Sequence, residues 1–188
     1  VGHWNTGTSI PAARIYHDAG IAQVAPVATG HGYTQQGFDT SFRVMGHDDD
    51  GGNYAGQYAV KTLKAQRIAV IDDRTAFGQG LADEFIKSLQ AQGVQPVTRE
   101  YVDDKTVDFS AVLTTVRSKN ADLIFFGGVD SQAAPLARKL KQLGMNAQLM
   151  GAGGFVSQTF LTLAQREGEG VVALEPGLPL EQMPGGKA

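Results

Sequence analysis

From Arg67 onward the chain alternates short runs of β-forming residues with stretches of helical period, and this alternation limits the fold more than any other feature. The strand candidates are residues 67–71, 96–101, 123–126, 148–150 and 170–174. Between them, apolar residues at helical spacing predict helices over 80–92, 109–119, 132–143 and 157–165. The first three close on Gly93, Asn120 and Gly144, residue types that accept a left-handed backbone. Strands that alternate with helices form βαβ units around a parallel sheet. A run such as Leu123-Ile124-Phe125-Phe126 further requires that sheet to be covered on both faces. The expected fold class is α/β, a Rossmann-like parallel sheet with helices on both faces.

Ahead of this block, 10–19 reads as a helix closed by Gly20, and 21–24 as a short strand. Turn formers dominate 29–37, 41–44 looks extended, and 50–63 forms a further helix. The tail, 175–188, is rich in proline and glycine and reads as a linker. At 188 residues the chain has room for one domain and part of another. A net charge of −3 with mixed signs gives no footprint for nucleic acid or an anionic membrane. With no cysteine, a disulfide framework and a cysteine zinc site are excluded. No stretch is apolar enough to insert in a bilayer, and Val1-Gly2-His3-Trp4-Asn5 does not resemble a signal peptide.

In an open parallel sheet ligands sit beyond the carboxyl ends of the strands, where the strand order reverses. That rule selects the turns after Ile71, Phe126 and Met150, which should share one edge. Gly127-Gly128 and Gly151-Ala152-Gly153-Gly154 allow close backbone approach, and Phe77 offers an apolar wall. At the amino end, Asn5-Thr6-Gly7-Thr8-Ser9 precedes Pro11 and a helix, a setting suited to an anion. Thr29 follows the next strand and should lie on the same edge as Thr6.

Other clusters read as structural. The partial G-x-G at Gly78-Gln79-Gly80 is not a phosphate fingerprint, and no P-loop motif occurs. The pair Asp72-Asp73 is expected to cap and solvate the following helix. The run His47-Asp48-Asp49-Asp50 lacks the spacing of an EF-hand loop and reads as a solvated turn, and His3, His17 and His31 suggest no shared metal. Trp4 and Tyr16 read as packing residues. With no nucleophile motif, neither an enzyme nor a cofactor is expected, and no metal site is assigned.

The run Gly2-His3-Trp4-Asn5-Thr6-Gly7-Thr8-Ser9-Ile10-Pro11-Ala12, the segment 20–29, Thr34-Gln35-Gln36-Gly37-Phe38, the segment 67–81, Asp108-Phe109-Ser110 and Gly127-Gly128 together resemble the leucine/isoleucine/valine-binding protein family. The likeness is collinear over essentially the whole chain. It implies a type I periplasmic binding protein fold, represented by a partial first lobe (1–42), a complete second lobe (43–174) and a returning crossover (175–188). It also implies an extracytoplasmic, periplasmic protein that closes two lobes on an amino acid or small carboxylate and delivers it to an ABC permease. A ligand-sensing regulatory domain of the same fold is the alternative.

By the same resemblance, Thr6 and Thr29 bind the ligand carboxylate through hydroxyl and backbone N–H, and the Val27 carbonyl accepts from its ammonium. Phe77 stands where the family has an aromatic wall. Val129 stands where an aromatic residue can cover the ligand, and Gly153 where the family often has an acid for the ammonium. That missing acid leaves two expectations open: a carboxylate ligand without an amine, or an amine held by Asp130 or Asp73. A first lobe lacking most of its sheet also suggests pairing with a second copy through Ile10, Ile15, Ile21 and Val24.

Overall fold

The computed structural model describes residues 1–178, 182 and 183. Two sheets organise them. The smaller pairs β1 (Gln23–Ala25) in parallel with β2 (Ser41–Arg43), after α1 (Thr6–Asp18). The larger has five strands, β3 (Ile68–Asp72), β4 (Thr98–Tyr101), β5 (Leu123–Gly127), β6 (Gln148–Ala152) and β7 (Val172–Leu174), in the order β4-β3-β5-β6-β7. Every pair is parallel, with Ile68 opposite Leu123 and Leu123 opposite Gln148.

The placement of the helices follows from that order and from chirality. Parallel crossovers are right-handed, so a chain that steps from β3 to β4 and then reverses to β5 must change faces as it reverses. The helix α3 (Ala76–Ala91) therefore lies on one face, with α2 (Asp48–Lys61), while α4 (Ser110–Ser118), α5 (Asp130–Gln142) and α6 (Gln158–Ala164) lie on the other. Strand residues alternate between the two cores with a period of two. Ile68, Val70, Leu123 and Phe125 pack under α2 and α3, and Ala69, Ile71, Ile124 and Phe126 under the other three helices. Phe85 of α3 stacks on Phe125 with centroids 3.9 Å apart.

The helices α2 and α3 meet almost backbone to backbone. A Cβ on Gly52 would lie 2.5 Å from Glu84 Cβ, and one on Gly56 would lie 2.5 Å from Ser88 Cβ. Ser88 Oγ donates across the seam to the Asn53 carbonyl at 2.7 Å. Sequence reading had not singled out this spacing of two glycines on one helix face.

The strand assignments stand with ends shifted by a residue or two, and Gly93, Asn120 and Gly144 all have positive φ, as their helix-closing role requires. Helix starts moved further. The first helix begins at Thr6 rather than Ile10, with Pro11 inside it; the proline leaves the Gly7 carbonyl without its i→i−4 donor but does not end the helix. The second core helix begins at Ala76 rather than Gly80, because Thr75 Oγ1 accepts the Gly78 N–H at 2.9 Å and caps it there. Of the linker expected over 175–188, residues 175–178, 182 and 183 are described and the others lie outside the described residues.

Candidate ligand-binding cleft

A cleft of about 980 Å³ opens at the carboxyl edge of the five-stranded sheet, facing the segment that carries α1 and β1. Thr6, Val27, Thr29, Phe77, Val129, Asp130 and Gly153 all border it. Asp73 does not.

On the first wall, the early start of α1 puts the N–H groups of Thr6 and Gly7 at the open end of a helix, where no intrahelical acceptor exists. Thr6 is 2% exposed, and its Oγ1 accepts the Gly30 N–H at 3.1 Å. A Cβ on Gly30 would stand 2.2 Å from Thr6 Cγ2, so only glycine lets this loop reach the helix. Thr29 Oγ1 is buried without a hydrogen-bond partner, as is Asp48 Oδ2 beside it. Burial pushes the Asp48 carboxyl up to about 6, against the lowering influence first of the Thr29 side chain and then of Arg43. The two groups are near enough to interact but are not aligned as a hydrogen bond, which leaves both with capacity toward the cleft.

On the second wall, Phe77 projects from the first turn of α3, and Val129 is the residue ahead of α5. Asp130 is engaged: its Oδ1 accepts the Ser131 N–H at 2.7 Å, and its Oδ2 accepts Ser157 Oγ–H at 2.6 Å. Asp73 is turned inward, with Oδ1 accepting both the N–H and the hydroxyl of Thr75, and burial pushes its carboxyl up. The neighbouring Asp72, expected to cap and solvate a helix, is instead wholly buried and paired with Arg99 of β4 at 2.9 Å.

Sequence reading missed Glu175. It follows β7, the strand next to β6, and a Cβ on Gly153 would lie 2.7 Å from Glu175 Oε2. A carboxylate therefore reaches the position that Gly153 leaves without one, from the adjacent strand. The side chain is open to solvent on its outer side, yet partial burial against the cleft pushes its carboxyl up, with no charged partner contributing among the described residues. Trp4, expected to pack, is 70% exposed at the cleft mouth, and Tyr54 of α2 stands there too.

A family model described as periplasmic binding protein matches residues 1–188. The chain belongs to that family. Among curated relatives of this periplasmic binding protein chain, the amino acid binding protein of Pseudomonas aeruginosa and the Leu/Ile/Val-binding protein homolog 1 of Brucella abortus are each 38% identical over 164 residues, 87% of this chain and 44% of the relative. Among solved structures, the leucine-binding protein LivK of Thermotoga maritima superposes with a TM-score of 0.86 at 27% identity, covering 90% of this chain and 48% of that one. The branched-chain amino acid transporter substrate-binding protein LivJ of Streptococcus pneumoniae, in complex with isoleucine, gives 0.80 at 25% identity, covering 87% and 46%. The chain thus spans about half the length of these relatives. Their names describe all four as binding proteins. No helix among the described residues is long and apolar enough to cross a membrane.

Proposed function

We propose that this chain captures an α-amino acid with an apolar side chain. The carboxylate lies at the N-terminus of α1, on the hydroxyl and backbone N–H of Thr6 and Thr29. The ammonium faces the Val27 carbonyl and Glu175, and the side chain lies against Phe77, Leu81 and Val129. One observation carries the reading: free N–H donors at a helix start border the same cleft as a carboxylate, Glu175, that no charged residue among those described engages. A zwitterion offers the complementary pair of charges, whereas a carboxylate without an amine would leave Glu175 facing an apolar group. The names of the relatives, amino acid and Leu/Ile/Val-binding proteins, support the same class.

Within that reading the protein works outside the cytoplasm and hands its ligand to an ABC permease. A second copy packing on the exposed Ile15 and Ile21 is part of it, and light scattering that reports a monomer removes that part alone. Thermal denaturation with leucine, isoleucine, glutamate and 4-methylpentanoate tests the ligand class. At a hundredfold excess over Kd a bound ligand contributes ~2.7 kcal/mol, a rise of roughly 5–10 °C for a chain of this size. Leucine or isoleucine should produce a concentration-dependent rise that 4-methylpentanoate does not match. Equal shifts from 4-methylpentanoate and leucine would refute the assignment of an amine site.

A further inference from the structure

The run beginning at His47 has a partner that the sequence separates from it. His31 opens a short 3-10 turn, His31–Tyr33, in the loop after β1, and the fold lays that loop against the start of α2. The imidazoles of His31 and His47 stand edge to face with centroids 5.8 Å apart, and Asp49 lies between them. One nitrogen from each ring and one carboxylate oxygen of Asp49 all fall within 4.8 Å of one another.

We propose that His31, His47 and Asp49 form a binding site for a divalent transition-metal ion, with zinc as its best-fitting occupant and water completing the coordination. Two imidazoles and one carboxylate suit zinc, cobalt, nickel or copper, and not calcium or magnesium, which favour all-oxygen shells.

The geometry points to an ion rather than to a set of ion pairs. His47 Nδ1 and Asp49 Oδ1 are both buried and neither has a hydrogen-bond partner, although they lie 3.5 Å apart. Ligand atoms each ~2.0–2.1 Å from a tetrahedral ion are separated by about 3.4 Å, so this gap matches one edge of such a site. His31 Nδ1 stands 2.5 Å from the other carboxylate oxygen, Asp49 Oδ2, so holding one ion between both imidazoles requires the His31 ring to swing away from Oδ2 by about 1 Å. Its ring is 45% exposed, which leaves room for that movement.

Polar side chains stand beside both outer nitrogens. His47 Nε2 faces Asp50 Oδ2 at 3.6 Å, and His31 Nε2 contacts the side-chain amide nitrogen of Gln35. The Asp50 carboxylate favours a proton on His47 Nε2, which turns the His47 Nδ1 lone pair toward the ion. The loop bearing His31 is anchored in turn, since the buried Tyr33 donates to the Gln23 carbonyl at 3.1 Å and Arg43 donates to the Gly30 carbonyl at 3.0 Å. A helix N-terminus disfavours a cation, but Asp48, Asp49 and Asp50 occupy the first turn of α2 and reverse the local sign. An ion here would tie the loop after β1 to α2 and hold Gly30 against Thr6.

Cobalt(II) titration of the apo-protein, followed by visible absorption and then by zinc displacement, tests the site. The expected result is one Co2+ per chain, with the intense visible bands of a tetrahedral centre, displaced stoichiometrically by Zn2+. His31→Gln and His47→Gln should each weaken binding at least about tenfold, since ligand loss costs no less than loss of an outer-shell partner. His3→Gln, outside the cluster, should bind as the parent does. Far-ultraviolet circular dichroism of each variant verifies that weakened binding is not unfolding, and Asp49→Asn supplies a third ligand variant should one histidine variant fail to fold. The proposal is overturned by a parent protein that shows no visible band. Binding that survives His31→Gln unchanged overturns it equally, because the site would then not span the loop and α2.

Discussion

Glu175→Gln separates the charge of this side chain from its shape. The substitution keeps the length and one acceptor oxygen, and removes the negative charge that faces the space above Gly153. Two limits frame the loss. An exposed ion pair contributes up to about 1 kcal/mol, and a desolvated charge-assisted hydrogen bond ~1.5–3 kcal/mol. Glu175 is solvent-exposed on one side and partly buried on the other, so the loss for leucine should fall between these limits, ~1–3 kcal/mol, or about 5- to 150-fold in Kd. Where in that range it falls reports how completely the bound cleft excludes water. Isothermal titration calorimetry with leucine and with 4-methylpentanoate, which has the same carbon skeleton and no amine, gives the contrast. Leucine should weaken, and 4-methylpentanoate should be unaffected or bind better, because the repulsion between two carboxylates is gone. If leucine affinity is unchanged, or both ligands weaken equally, Glu175 does not pair with an ammonium and the amino-acid reading loses its main support.

Other expectations follow from the same contacts. Burial raises the Glu175 pKa in the free chain, so a proton competes with an ammonium there: leucine affinity should fall as pH drops through that raised value, and Glu175→Gln should flatten the profile measured by calorimetry. For stability the sign is the reverse, since a carboxyl whose folded pKa lies above its unfolded value destabilises the fold as pH rises past the unfolded value. Arg99→Ala leaves Asp72, with no exposure, as an uncompensated buried charge, and urea denaturation should report a loss of ~3–5 kcal/mol; a loss below about 1 kcal/mol would mean that the pair is not structural. Gly30→Ala drives a methyl to 2.2 Å from Thr6 Cγ2 and should destabilise by ~1–3 kcal/mol in urea denaturation while weakening ligand binding.

The five-stranded sheet was legible because burial on both faces leaves a plain record: the run Leu123-Ile124-Phe125-Phe126 cannot be exposed on either side without cost. Strand order was recoverable only as a rule about where ligands gather, and the turns carrying Phe77, Val129 and Gly153 do meet at one cleft. Helix starts were less legible because a cap is a local choice among several hydroxyls. Thr75 was one of several, and Pro11 drew the start of α1 inward although Asn5 precedes the true first turn. Glu175 was hidden by its neighbours, since the prolines and glycines that follow it gave the whole stretch the look of a linker. What could have found it is its place: it directly follows a strand of the same parallel sheet, where the rule applied to the other strand ends applies too. His31 and His47 could not have been paired from sequence, because their meeting depends on how the loop after β1 folds over α2.

The glycine seam between α2 and α3 also governs how the cleft can move. Tyr54, Gly51, Asp50 and Asp48 all ride on α2, and α2 cannot slide along α3 without its bare backbone riding up over Glu84 and Ser88. That side of the cleft and the sheet beneath it therefore travel together as one rigid plate. Among the described residues, those between Arg43 and His47 join the small sheet to α2, so opening or shutting around a captured molecule draws on their backbone torsions, which bound the arc through which Thr6 and Thr29 can swing.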